Sequence, residues 1–196
     1  MNDKEKAIIV AYRGCDDNVT SERISHIDQV PFSPSAPNAL VSEGFFSIYH
    51  DTSNEITSLV GNLVKENPSY KVVATGHSLG GSLSTFQALD LINTPGLNSS
   101  NLFTYTFGEP RNGNAKFAQF IMNTGFKFSR LVDREDLIPY LPPPFFDYFQ
   151  YGPEYWINSN IQMVVCQGAD DEGCSESLPI KSIDAHLFYF GDLAAM

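Results

Sequence analysis

Positive charge is scarce in this chain. Its 196 residues include 12 Lys and Arg against 23 Asp and Glu, a formal charge of −11. So acidic a surface argues against wrapping nucleic acid and against docking on anionic lipid through a basic patch. It leaves a neutral apolar substrate open. Long apolar runs are missing too: none approaches the ~18 residues of a membrane span, so no stable membrane insertion is expected. No internal repeat or low-complexity tract occurs. No secretory signal is expected within these residues. Met1 to Lys6 is polar and charged, and Ala7 to Tyr12 is too short for the apolar part of a signal before Arg13 and Gly14 interrupt it. Cysteine is limited to Cys15, Cys166 and Cys174, with no paired histidines beside them, so no metal site is expected.

The remaining composition is that of a globular protein: 42% hydrophobic, 13% aromatic and 18% charged. The length predicts one domain over residues 1–196, burying roughly two-thirds of its unfolded surface. Cys166 and Cys174 enclose seven residues, a spacing compatible with a short local bridge and hence an oxidising compartment. Two N-x-[ST] sequons, Asn18-Val19-Thr20 and Asn98-Ser99-Ser100, fit the same compartment.

Apolar runs predict buried strands at Lys6–Tyr12, Lys71–Thr75, Leu102–Phe107, Phe126–Val132 and Ile161–Cys166. Phe45, Tyr49, Ile56, Leu59, Val60 and Leu63 recur at helical spacing and predict one helix from Ser42 to Glu66, with Pro68 beyond its end. Leu79–Ile92 and Lys116–Asn123 read as two more helices. Asp16–Val30 has only a weak amphipathic pattern, and Pro31, Pro34 and Pro37 predict an extended loop. Strands alternating with helices point to an α/β fold with a mostly parallel sheet.

Gly76-His77-Ser78-Leu79-Gly80 is a G-x-S-x-G pattern set between a predicted strand and a predicted helix, the context a nucleophile elbow requires. Glycine permits the sharp turn that pushes the Ser78 hydroxyl out over the strand ends. The Leu79 amide, in the first helical turn, can then stabilise an oxyanion. A serine nucleophile needs a base, and in this arrangement the chain order is Ser, acid, His. His26 and His50 precede Ser78, and His77 adjoins it and is expected to point away from its hydroxyl. His186 remains. Asp133, Glu135, Asp136 and Asp147 all qualify as the acid by position, and physical reasoning does not separate Asp133 from Asp136.

Gly76-His-Ser-Leu-Gly-Gly81 resembles the elbow of the fungal class 3 lipases, the family of the Rhizomucor and Rhizopus triacylglycerol lipases. Five further stretches resemble the same family: Asn101–Gly113 after the elbow helix, the acid loop Asp136-Leu-Ile-Pro-Tyr-Leu-Pro-Pro143, Pro153-Glu-Tyr-Trp-Ile157, Cys174-Ser-Glu-Ser177, and Asp184-Ala-His-Leu-Phe-Tyr-Phe190. The resemblance implies an α/β-hydrolase fold and a triad of Ser78, Asp136 and His186. It also implies a Cys166–Cys174 disulfide. It implies a secreted parent protein, a monomer that hydrolyses neutral lipid or another ester at an oil–water interface, and no cofactor. The N-terminal part of the family fold is expected to be missing here. The family's R-G-[ST] oxyanion residue corresponds to Cys15 in Arg13-Gly14-Cys15, where a thiol replaces a hydroxyl. The family's lid corresponds to Asp16–Val30, rich in Asp16, Asp17, Glu22, Arg23 and Asp28. Polar lids accompany feruloyl esterases in this family, so a feruloyl or partial-glyceride esterase is the alternative activity. A catalytically impaired lipid-binding protein is the alternative from another class.

Overall fold

A computed structural model of the chain describes residues 1–15, 22–168, 170, 173–190 and 192–193. Six strands form one sheet in the order β1 (Ala7–Tyr12), β4 (Lys71–His77), β5 (Leu102–Phe107), β6 (Lys127–Asp133), β7 (Glu154–Ile157) and β8 (Met163–Cys166). The first five run parallel and β8 closes the sheet antiparallel to β7. The expected mostly parallel α/β sheet is therefore present.

Registry puts Val72 opposite Ile8 and Leu102, and Ala74 opposite Val10 and Thr104. These alternate residues face the helices. The helices are α1 (Glu43–His50), α2 (Ser53–Glu66), α3 (Leu79–Leu91) and α4 (Ala115–Asn123). Ala74 and Phe128 pack with Phe45, Leu83, Phe86, Phe117 and Ile121, while Ile8, Val72 and Leu102 pack with Val60, Val64 and Leu91. All four helices thus share one face of the sheet. On the other face Ile9 and Tyr105 are exposed. Helix α3 is buried nearly all round, because β4, β5 and α1 enclose it.

Three expectations change. The helix predicted over Ser42–Glu66 is two helices, broken at Asp51 and Thr52, where Thr52 leaves helical geometry (φ −128°, ψ −10°). Periodicity could not reveal this, since both pieces present apolar residues to the same face of the sheet. The extended proline loop is bracketed by a small hairpin of β2 (Gln29–Pro31) and β3 (Leu40–Ser42). Strand β7 has no predicted counterpart. It lies just after a Gly-Pro pair, and buried Glu154 breaks its apolar pattern.

Candidate active site

Ser78 joins the C-terminal end of β4 to the first residue of α3. Its backbone sits at φ 56°, ψ −131°, a conformation that costs a non-glycine residue on the order of 1–3 kcal/mol. The turn closes only because its neighbours lack side chains. A Cβ on Gly76 would lie 2.2 Å from the Gly80 carbonyl oxygen, and one on Gly80 would lie 2.3 Å from the Tyr12 carbonyl oxygen. The second contact draws the end of β1 onto the elbow. Next in the chain, Gly14 packs on the same turn: a Cβ there would be 3.2 Å from the His77 carbonyl and 3.4 Å from Ser78 Cβ. Cys15 therefore follows directly on a residue that touches the Ser78 turn. It is not part of a disulfide and packs partly buried at the edge of the core. The Leu79 amide lies in the first turn of α3, where helix amides have no intrahelical partner.

Asp136 and His186 meet across two loops. His186 Nδ1 donates to Asp136 Oδ2 at 2.9 Å, and both side chains are buried. Tyr189 donates its hydroxyl to the same oxygen at 2.6 Å, and the Ile138 amide donates to Oδ1 at 2.9 Å. The loops are held by backbone bonds, Ser182 N to Glu135 O at 2.7 Å and Leu137 N to Ser182 O at 3.1 Å. Asp133, which sequence reasoning could not distinguish from Asp136, is instead engaged by the Arg134 guanidinium at 2.7 Å. Asp147 lies exposed on a separate turn.

Strand β5 links the Ser78 turn to the residue that packs on the Asp136–His186 pair. Ser78 N donates to Phe107 O at 2.9 Å, and the next residue, Gly108, lies against the Asp136–His186 pair. Glu109 then anchors this strand end. Buried, it accepts from Thr85, Thr106, Asn112 and Tyr151 at 2.5–2.7 Å. Because Nδ1 of His186 donates to Asp136, Nε2 is the ring nitrogen left without that partner. Among the described residues the Ser78 hydroxyl makes no hydrogen bond. Ser78 opens into a cavity of about 180 Å³ lined by Ile24, Phe45, Leu79, Pro110, Ile138, Leu141 and Pro142. A larger groove of about 690 Å³ lies over β5–β8, but it contains no histidine or carboxylate.

Sequence reasoning passed over three contributors. Gly108 follows a strand without any motif of its own. Tyr189 is the only phenol three residues from His186, but nothing marked it as a donor. His77 was set aside on chain order, yet its ring lies against that of His186, with centroids 4.3 Å apart. Its Nε2–H donates to the His186 carbonyl oxygen at 2.8 Å, so Nδ1 carries no proton in the neutral ring. Burial, followed by the neighbouring His186, lowers the His77 pKa. Because the unfolded chain takes up this proton more readily, His77 makes stability fall as pH drops below about 6.5. His77→Gln should flatten that part of the stability-against-pH curve, measured by urea unfolding between pH 5 and 8. An unchanged slope would assign it to another group.

Burial, then the Asp136 charge, pushes the Tyr189 phenol well above its usual pKa, so it remains a donor. Removing it in Tyr189→Phe should leave Asp136 one partner short, a loss on the order of 1–3 kcal/mol. The expected result is a fall in both kcat and thermal stability; wild-type kcat would show that the phenol does not hold the acid.

The Cys166–Cys174 bridge, with Cα atoms 6.1 Å apart, ties the end of β8 to the segment leading to His186. Lys181 extends that brace, donating to the carbonyls of Ser175 and Leu178 at 2.7 and 2.6 Å. Within the sequence-predicted lid, residues 16–21 lie outside the described residues. Residues 22–24 are helical, and Ile24 reaches the Ser78 cavity. Among the described residues no three metal-ligating side chains converge, and no helix is long and apolar enough to cross a membrane.

The family described as Lipase (class 3) matches residues 9–146. The chain belongs to the class 3 lipases. A Rhizomucor miehei lipase is 40% identical over 195 residues, covering 96% of this chain and 53% of that protein. A solved lipase from Rhizopus microsporus var. chinensis superposes with a TM-score of 0.92 at 33% identity, over 100% of this chain and 69% of that one. Another solved relative, a triacylglycerol lipase whose catalytic centre is described as a serine protease triad, gives 0.87 at 39% identity, over 98% and 74%. This class 3 lipase chain spans about half the length of the curated relatives it matches. Its neighbours establish the α/β-hydrolase fold.

Proposed function

We propose that the chain is a serine carboxylic ester hydrolase whose substrate is a triacylglycerol. The observation that carries the reading is the strained Ser78 at the elbow, beside the Asp136–His186 pair and open to an apolar cavity. In this reading His186 Nε2 takes the Ser78 proton as Oγ attacks the ester carbonyl. The negative charge that builds on the carbonyl oxygen is met by the amides of Cys15 and Leu79. His186 passes the proton to the departing alcohol, leaving an acyl-Ser78. Water activated by His186 then releases the acid. Asp136 fixes the imidazole tautomer and stabilises its charged form. No metal or organic cofactor enters these steps. The disulfide supports passage through an oxidising, secretory compartment.

A second reading, a feruloyl or partial-glyceride esterase, is favoured by the charged Glu22 and Arg23 that precede Ile24, which reaches the cavity. Hydrolysis of an emulsified triacylglycerol, a soluble nitrophenyl ester and a feruloyl ester, each with a Ser78→Ala control, tests both. A rate that rises sharply above the solubility limit of the glyceride supports the lipase. Faster turnover of the feruloyl ester supports the esterase, and equal rates in the control overturn both.

The Cys15 reading makes a further prediction. If its side chain faces the oxyanion, Cys15→Ser should raise kcat by about tenfold, ~1.4 kcal/mol, with little change in KM, because the gain belongs to the transition state. Unchanged or lower kcat in a folded variant means the thiol is not aimed there.

A further inference from the structure

We propose that Asn98 is an attachment site for an N-linked glycan, at the end of the sheet opposite Ser78. The inference rests on the secretory part of the proposed function and not on the hydrolytic part. Asn98-Ser99-Ser100 is a complete sequon, with neither Ser99 nor the following Asn101 a proline. Residues 98–100 are exposed in the connection between α3 and β5.

The local geometry presents the side chain. Asn98 Oδ1 accepts from the Ser100 amide at 2.8 Å and from the Ser100 hydroxyl at 2.5 Å. The sequon's third residue is therefore folded back onto its first. Among the described residues Nδ2, the atom that would carry the sugar, makes no hydrogen bond. The turn itself is held from below. Buried Leu97 anchors it in the core beside Val64 and Leu102, Leu102 N bonds Asn98 O at 3.0 Å, and Asn101 Nδ2 bonds Gly96 O at 2.8 Å. A glycan on Nδ2 would displace none of these contacts.

Placement makes the modification compatible with activity. Asn98 precedes β5, whereas Phe107 at the far end of β5 pairs with His77, next to Ser78. Six residues of strand put about 20 Å between the two ends. In the transfer, Asn98 Nδ2 forms a bond to the anomeric carbon of an oligosaccharide carried on a polyprenyl pyrophosphate. The bond from that carbon to the pyrophosphate oxygen breaks, the polyprenyl pyrophosphate leaves with the electron pair, and the amide proton passes to the transferase. The other sequon begins at Asn18, which lies outside the described residues.

The test is synthesis of the full chain behind a cleavable secretory leader in a glycosylating eukaryotic host, with a reporter sequon appended at the C-terminus. Only molecules carrying the reporter glycan are scored, so every scored chain has met the transferase. Enzymatic deglycosylation in ¹⁸O-water followed by peptide mapping should find ¹⁸O-labelled Asp at position 98. Asn98→Gln and Ser100→Ala should each remove one glycan and leave ester hydrolysis within twofold of the parent. Unmodified Asn98 in reporter-positive chains overturns the proposal. Loss of hydrolysis in Ser78→Ala, measured on the same preparation, reports separately on the hydrolytic reading.

Discussion

Ser78→Ala should fold normally and lose ester hydrolysis by on the order of 10⁶-fold in kcat, the scale seen when a nucleophile is removed from a unit of three cooperating groups. The hydroxyl makes no hydrogen bond among the described residues, so its removal strands no partner. The β4–α3 elbow is set by Gly76 and Gly80, which the substitution leaves in place. His186→Ala should cost a similar factor, and the double variant little more than either single change. Asp136→Asn should lose about 10⁴-fold, because the wrong tautomer of His186 would face the serine. Asp133→Asn should be mild, since Asp133 serves Arg134 and not the imidazole. Matched thermal unfolding curves with kcat reduced in this order support the assignment. If Asp133→Asn is the inactive variant, the acid is misassigned.

Gly108→Ala is expected to be the most damaging change outside the three reacting groups. Its φ of +59° strains any residue with a Cβ. That Cβ would also lie 2.6 Å from Asp136 Oδ2 and 2.8 Å from His186 Nδ1 and Cε1, distances that atoms do not sustain. Asp136 is held by Tyr189 and the Ile138 amide, so the imidazole is the part that gives way. Displacing it by about an ångström should lower kcat by roughly 10²-fold or more. The left-handed backbone adds a stability loss on the order of 1–2 kcal/mol. Gly125→Ala is the matched control: its φ is +73°, but nothing lies within 4 Å of the added carbon. That variant should lose stability alone. Equal kcat in the two would remove Gly108 from the account.

Four of the five parallel strands were legible because continuous apolar runs bounded by glycine and proline have few other readings, whereas β7 was hidden by the charge of Glu154 at its first position. The elbow was legible because a glycine-flanked serine fell between a strand and a helix. The choice of Asp136 over Asp133 was not available from local chemistry. Both follow one strand, and only the loop pairing with Ser182 brings one of them to His186. The break at Asp51 and Thr52 was hidden because α1 and α2 bury the same kind of face. Gly108 and His77 act through close approach across 78 and 109 residues of chain respectively, to His186 and its carbonyl. No pattern along the chain encodes such contacts. Sheet register and loop closure create them.

The proposed reaction begins with attack of Ser78, activated by His186, on the ester carbonyl. It is tested most directly by incubating the protein with an alkyl p-nitrophenyl phosphonate, which traps an activated serine as a stable tetrahedral ester, and mapping the adduct by peptide mass. One phosphonyl group per chain is expected, carried on Ser78 and absent from His186→Ala under the same conditions. Labelling of Cys15 instead, or labelling of Ser78 that persists undiminished without His186, would contradict it.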